Sequence, residues 1–242
     1  YYLSEFPDEF DLREFAQPVR DQVNRGTCAA FVAATIKEIQ ENKESGFNEW
    51  MSPEFIYHHR ENKPASGMYG RNVFQILQLV GSVPEVDYPY AHDESTPDPD
   101  PVLYMTASRY RIAGFAKVTT VDGLKRALLE LGPAYIQTPL YTTRPHFWRG
   151  VGDEKWVGGH ALTAIGFNKE GFILQNSWGR DWNGDGCIVL PYEEWGSVWE
   201  CWVGVDENNT NPSETVSSRY GDLVERKIAS VTPESQRRRR AG

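Results

Sequence analysis

The stretch Gln22-Val23-Asn24-Arg25-Gly26-Thr27-Cys28-Ala29-Ala30-Phe31 constrains this chain more than any other. A Gly-Thr turn delivers a cysteine to the start of a segment in which Val32, Ile36 and Ile39 recur at helical spacing, so Cys28 is expected at a helix N-terminus. Unpaired N–H groups and the positive end of the helix dipole stabilise a thiolate there, and the thiolate is the form that attacks carbonyl carbon. Gln22, six residues upstream, is a side-chain donor suited to an oxyanion. Taken alone, Cys28 reads equally as a small buried apolar residue. Two later stretches change the balance: Gly158-Gly159-His160-Ala161-Leu162 and Gln175-Asn176-Ser177-Trp178-Gly179. His160 follows Cys28 by 132 residues and Asn176 follows His160 by 16, the order of a thiol nucleophile, its base and the base's orienting partner.

With these residues in view, the chain resembles the papain-like (C1-type, cathepsin-like) cysteine peptidases. Further landmarks carry the likeness from about residue 6 to 205: Phe10-Asp11-Leu12-Arg13, Met51-Ser52-Pro53-Glu54-Phe55, Asp87-Tyr88-Pro89-Tyr90, Leu131-Gly132-Pro133-Ala134 and Trp182-Asn183-Gly184-Asp185-Gly186. One departure stands out. The family's Cys-Gly-Ser-Cys-Trp signature reads Arg25-Gly26-Thr27-Cys28-Ala29 here, so the upstream structural cysteine and the tryptophan are both replaced, which resembles divergent branches of the family.

The resemblance implies an α+β fold of two lobes, with Cys28 on a helical lobe (about 11–100), His160 on an antiparallel β-barrel-like lobe (107–205), and a catalytic cleft between them. It implies a cysteine endopeptidase working through a thiolate–imidazolium pair and a thioester acyl-enzyme. In it Cys28 is nucleophile, His160 base and then acid, and Asn176 the group that orients the imidazole. Trp178 shields that hydrogen bond, and Gln22 with the Cys28 N–H forms the oxyanion hole. Gly70 and Ala161 are the substrate contacts it suggests. The partner is a peptide or protein substrate, with an inhibitory pro-segment as a further one. No cofactor and no metal are called for.

Composition agrees with a globular enzyme: 242 residues, 40% hydrophobic and 13% aromatic, suffice for packed cores. No apolar run spans a membrane, and the N-terminal residues lack the organisation of a signal peptide. The chain starts at Tyr1 without a methionine, as a processed product would. Three cysteines are too few for a disulfide framework, and Cys187 and Cys201 lie in strand-like apolar runs, so they are read as buried thiols in a reducing intracellular compartment. A net charge of −9 argues against general nucleic-acid binding.

Periodicity places a helix from about Cys28 to Lys43, with Lys37, Glu38, Gln40 and Glu41 on a solvated side. Others are expected from Ser52-Pro53, from an Asn72 cap, and over Asp122 to Leu131. Residues 91–101, with three prolines and four acidic groups, read as an exposed interlobe hinge. Six strands are expected after it. Asp181 to Gly186 matches half of a calcium loop but has Tyr192 where the bidentate glutamate belongs, and reads as a turn. From 206 to 242 the chain is polar, with an Asn208-Asn209-Thr210 glycosylation triplet and Arg237-Arg238-Arg239-Arg240, which suits an acidic or nucleic-acid partner. That extension keeps open a reading of a different class, a papain-like binding or structural module with little turnover, and a third in which Gly242 is a self-processing product end.

Overall fold

The computed structural model describes residues 6–206. The polar extension with Asn208 and Arg237–Arg240 lies outside the described residues.

Helix α1 (Cys28–Ser45) crosses the middle of the molecule. Its alanines Ala29, Ala30, Ala33 and Ala34 are fully buried and let other elements approach closely, while Gly46 ends it in the left-handed conformation at φ 73°. Helix α2 (Pro53–His58) starts as its sequence dictates, with proline in the first turn and the Ser52 hydroxyl accepting from the Phe55 N–H. Helices α3 (Gly70–Leu79) and α4 (Leu103–Ala107) complete this half. The start of α3 differs from expectation: it begins at Gly70, and Asn72 lies inside, its carbonyl accepting from the Glu61 N–H.

The second half is an antiparallel sheet. Its strands are β2 (Ile112–Lys117), β3 (Ala134–Leu140), β4 (Gly158–Phe167), β5 (Gly171–Gln175), β6 (Cys187–Pro191) and β7 (Glu200–Asp206), in the order β2-β7-β3-β4-β5-β6. A short early strand, β1 (Phe10–Asp11), pairs with β4 through Phe10 and Phe167, so the lead-in residues belong to the sheet rather than to the helices. Helix α5 (Val121–Glu130), capped by Thr120, covers one face, and Leu124 and Leu128 join Ile136, Phe147, Leu162 and Phe172 in the β-half core. A second core joins α1 and α3 to Tyr135 and Ala161 of the sheet. Cys187 and Cys201 are free buried thiols in separate clusters, the first pushed up to about 12 by burial.

One expectation is corrected. The polar side of α1 is not solvated: Lys37, Glu38, Gln40 and Glu41 are all buried. Each has a partner the helical period does not reveal. Lys37 Nζ lies 2.9 Å from Asp206 and 2.8 Å from Glu41, Glu38 pairs with Arg20 at 2.8 Å, and Gln40 donates to the Gly204 carbonyl. Burying such a charged stripe carries a desolvation cost that the opposite charges supplied by other elements offset. The stretch 91–101 is exposed over most of its length, yet it is tied to the helical half. The Ala91 N–H and Thr96 hydroxyl donate to Glu54, and Tyr88 donates to the Pro97 carbonyl.

Candidate active site

Cys28 is the first residue of α1, and the Thr27 before it does not cap the helix. The Thr27 hydroxyl bonds Tyr90 Oη instead (2.8 Å), and the first intrahelical bond runs from Phe31 N–H to the Thr27 carbonyl. The N–H groups of the first turn therefore stay available for an anion. The half-buried thiol packs against the cluster containing Tyr135 and Ala161. Burial pushes it up; the backbone N–H groups of Ala161, Ala29 and Cys28 itself pull it down. Since Ala161 directly follows His160 on β4, α1 brings the sulfur beside the strand that carries the imidazole.

His160 is buried, and its Nε2 lies 2.7 Å from Asn176 Oδ1. The same oxygen accepts the Ser177 N–H at 2.8 Å. A backbone N–H can only donate, so this atom is the amide oxygen, and His160 Nε2 carries the proton. Nδ1 is left with the lone pair. The Trp178 ring stacks on the imidazole with centroids 4.4 Å apart, and Phe147 meets it edge-on at 5.2 Å. Burial in this aromatic setting pulls the imidazole down to about 4, against the hydrogen bond to Asn176. Desolvation thus disfavours each charge taken alone, and the expected ion pair requires both to form together, sharing one proton across the site.

Gln22 is buried and its amide is fixed at both ends. Oε1 accepts the Ser177 hydroxyl at 2.6 Å, and Nε2 donates to the Arg25 carbonyl at 2.8 Å. A carbonyl cannot donate, so the amide cannot be flipped, and its second N–H remains for another acceptor. Residues 20–22 run along 177–179: Gln22 N–H to Ser177 carbonyl, Gly179 N–H to Arg20 carbonyl, and a bridge from Asp21 to Trp178. Gln22, Asn176 and Trp178, far apart in sequence, are brought together by this pairing. Ser177 and Phe147 were not singled out by the sequence reading; only the Ser177 position, next to Asn176, offered a signal.

The two expected substrate contacts lie in packed surroundings. A side chain on Gly70 would lie 2.5 Å from Glu200 Oε2 and 2.8 Å from Tyr135 Cε1, so the sheet packs closely against this glycine. Ala161 is buried in the core joining the halves. Gly67 is the open glycine of that region, at φ +83° with no atom within 4 Å of a Cβ position. Asp185, in the calcium-like turn, is already engaged by the Cys187 N–H and Arg13. Among the described residues no group of three or more His, Cys, Asp or Glu side chains is placed to hold a metal, and no helix is long and apolar enough to cross a membrane.

A family model described as papain family cysteine protease matches residues 6–202. Mouse cathepsin K is 28% identical over 200 residues, covering 76% of this chain and 59% of the relative. Falcipain-2b of Plasmodium falciparum is 29% identical over 222 residues, 82% of this chain and 44% of the relative. The chain thus spans about half the length of these curated relatives. Among solved structures, xylellain, a cysteine protease from Xylella fastidiosa, superposes with a TM-score of 0.74 at 23% identity, covering 84% of this chain and 87% of that one. Bromelain from Ananas comosus gives 0.67 at 20% identity over 83% and 100% of the two chains. The ragweed pollen cysteine protease Amb a 11, in its proform, gives 0.67 at 21% identity over 85% and 67%. These structural likenesses are likenesses of fold.

Proposed function

The chain belongs to the papain family of cysteine proteases, and from that premise we propose that it hydrolyses peptide bonds in peptide or protein substrates, with Cys28 as nucleophile. The observation that carries this reading is the His160–Asn176 hydrogen bond. It leaves Nδ1 as the free base on the strand whose next N–H, that of Ala161, reaches the Cys28 sulfur. The thiol proton passes to Nδ1 as sulfur attacks the carbonyl carbon, and the oxyanion takes hydrogen bonds from the Cys28 N–H and the spare N–H of Gln22. Collapse breaks the C–N bond, with His160 returning the proton to the leaving amine. Water then attacks the thioester, giving its proton to His160, and the acid product departs as the thiol is restored. Asn176 holds the ring and Trp178 keeps water from that bond.

The pro-segment is a finer proposal, supported by the proform relative, and a reducing compartment is supported by the free thiols. The test is cleavage of an unfolded protein substrate by wild type, Cys28→Ala and His160→Ala. Cleavage by wild type alone is the expected result. Equal cleavage by all three, or by none, would overturn the assignment.

A further inference from the structure

Arg25 stands where the family's signature has its upstream structural cysteine, three residues before Cys28. Its side chain is only 7% exposed, yet every nitrogen is occupied. Nη1 donates to Glu54 Oε2 and to the Ala91 carbonyl, both at 2.5 Å, Nη2 to Glu54 Oε1 and Glu94 Oε1, and Nε to Glu94 as well. The Tyr57 and Tyr90 rings lie 5.1 and 5.2 Å from its guanidinium carbon. Arg60, over Tyr57 at 3.8 Å, holds the other oxygen of Glu94. Burial by itself would lower the basicity of Arg25; the Glu54 hydrogen bonds and charge raise it instead.

The backbone of the same residue faces the active site. The Arg25 carbonyl accepts Gln22 Nε2 at 2.8 Å, and Tyr90, against the guanidinium, donates to the Gln22 carbonyl while receiving the Thr27 hydroxyl. The 22–28 loop is thereby fastened at its beginning, middle and end to α2 and the segment after Tyr90.

We propose that Arg25 is a positioning residue for the oxyanion donor: its fork into Glu54 and Glu94 does non-covalently what a cysteine bridge would do at this place, fixing the loop so that Gln22 is pre-aimed. This deepens the reading of Gln22 and Cys28 given above and rests on it. A planar, five-donor guanidinium is needed to satisfy two carboxylates, a carbonyl and two ring faces at once; an ammonium group is not equivalent.

The test uses Arg25→Lys, which keeps the charge balance, beside Arg25→Met, which strands the Glu54 carboxylate in a buried site and is read only if it folds. Both are compared with Gln22→Ala and the Gln22→Ala/Arg25→Lys double variant. Loss of an oxyanion donor typically costs 10²–10³ in rate. Arg25→Lys is expected to lower kcat by about 10-fold with KM little changed, and the double variant to be no slower than Gln22→Ala alone, because residues acting as one unit are not additive. Alkylation of Cys28 by iodoacetamide, which develops no oxyanion, is expected to stay within about 2-fold of wild type. Losses that multiply, a parallel fall in alkylation, or wild-type turnover in Arg25→Lys would overturn the proposal. Hydrogen–deuterium exchange of the 22–28 amides is read beside these and needs no turnover: faster exchange in Arg25→Lys supports the clamp, and unchanged exchange overturns it. A wild type that cleaves nothing would instead count against the protease reading.

Discussion

The His160 imidazole and the Trp178 indole lie nearly parallel, 25° apart in plane and 4.4 Å between centroids, so the indole covers one face of the ring that Asn176 holds by its edge. Burial is the main reason the imidazole is pulled down to about 4. Trp178→Ala is expected to raise it toward the ordinary histidine range and to weaken the His160–Asn176 bond by letting water compete. A net loss of about 1 kcal/mol in that bond corresponds to a 5- to 10-fold fall in kcat/KM. Titration of the His160 ring proton by NMR, beside the kinetics, checks both.

The same burial makes stability pH-dependent when the thiol is removed. In Cys28→Ala, His160 stays neutral in the fold down to about pH 4, whereas in the unfolded chain it takes its proton near 6.5. Stability is then fully present above pH 6.5 and falls as the pH drops toward 4, by roughly 3 kcal/mol. Glu38 has the opposite sign: burial pushes it up to about 7, so its contribution falls as pH rises from 4.5 to 7. Urea unfolding at several pH values, in Cys28→Ala with and without His160→Gln, isolates the histidine. A wild type with a flatter acid limb than Cys28→Ala would report proton sharing between sulfur and imidazole.

Ser177→Ala removes the hydroxyl that holds Gln22 Oε1 at 2.6 Å, leaving a buried amide oxygen without its donor. The expected outcome is about a 10-fold lower kcat with little change in KM, since the loosened Gln22 serves mainly the transition state. Steady-state kinetics on one peptide substrate decide it. A change confined to KM would place Ser177 in substrate binding instead.

Lys37 is wholly buried between Glu41 and Asp206, joining α1 to the last described residue of β7. Lys37→Met removes the buried cation that Glu41 and Asp206 share and is expected to cost about 3–5 kcal/mol. Chemical denaturation checks the figure. Thiol alkylation by iodoacetamide under native conditions should change little, since the pair lies well along the helix from Cys28.

What the sequence by itself determined was local and ordinal. The turn before Cys28, the Ser52-Pro53 helix start, the strand runs and the order Cys28, His160, Asn176 are legible because each depends on neighbours within a few residues or on spacing alone. Tertiary structure decided everything that needed a partner from elsewhere in the chain. Lys37, Glu38, Gln40 and Glu41 look like a wet helix face until β7 and Arg20 arrive with complementary groups. The close packing of Tyr135 and Glu200 against Gly70 has no signature in the residues around that glycine. The pairing of residues 20–22 with 177–179, which gathers Gln22, Asn176 and Trp178, has no periodic signature. Nor does the clamp on Arg25, whose partners lie 29 and 69 residues away. Periodicity shows which residues share a face, but whether a polar face meets water or an opposite charge depends on which strand packs over it, and only the folded chain decides that.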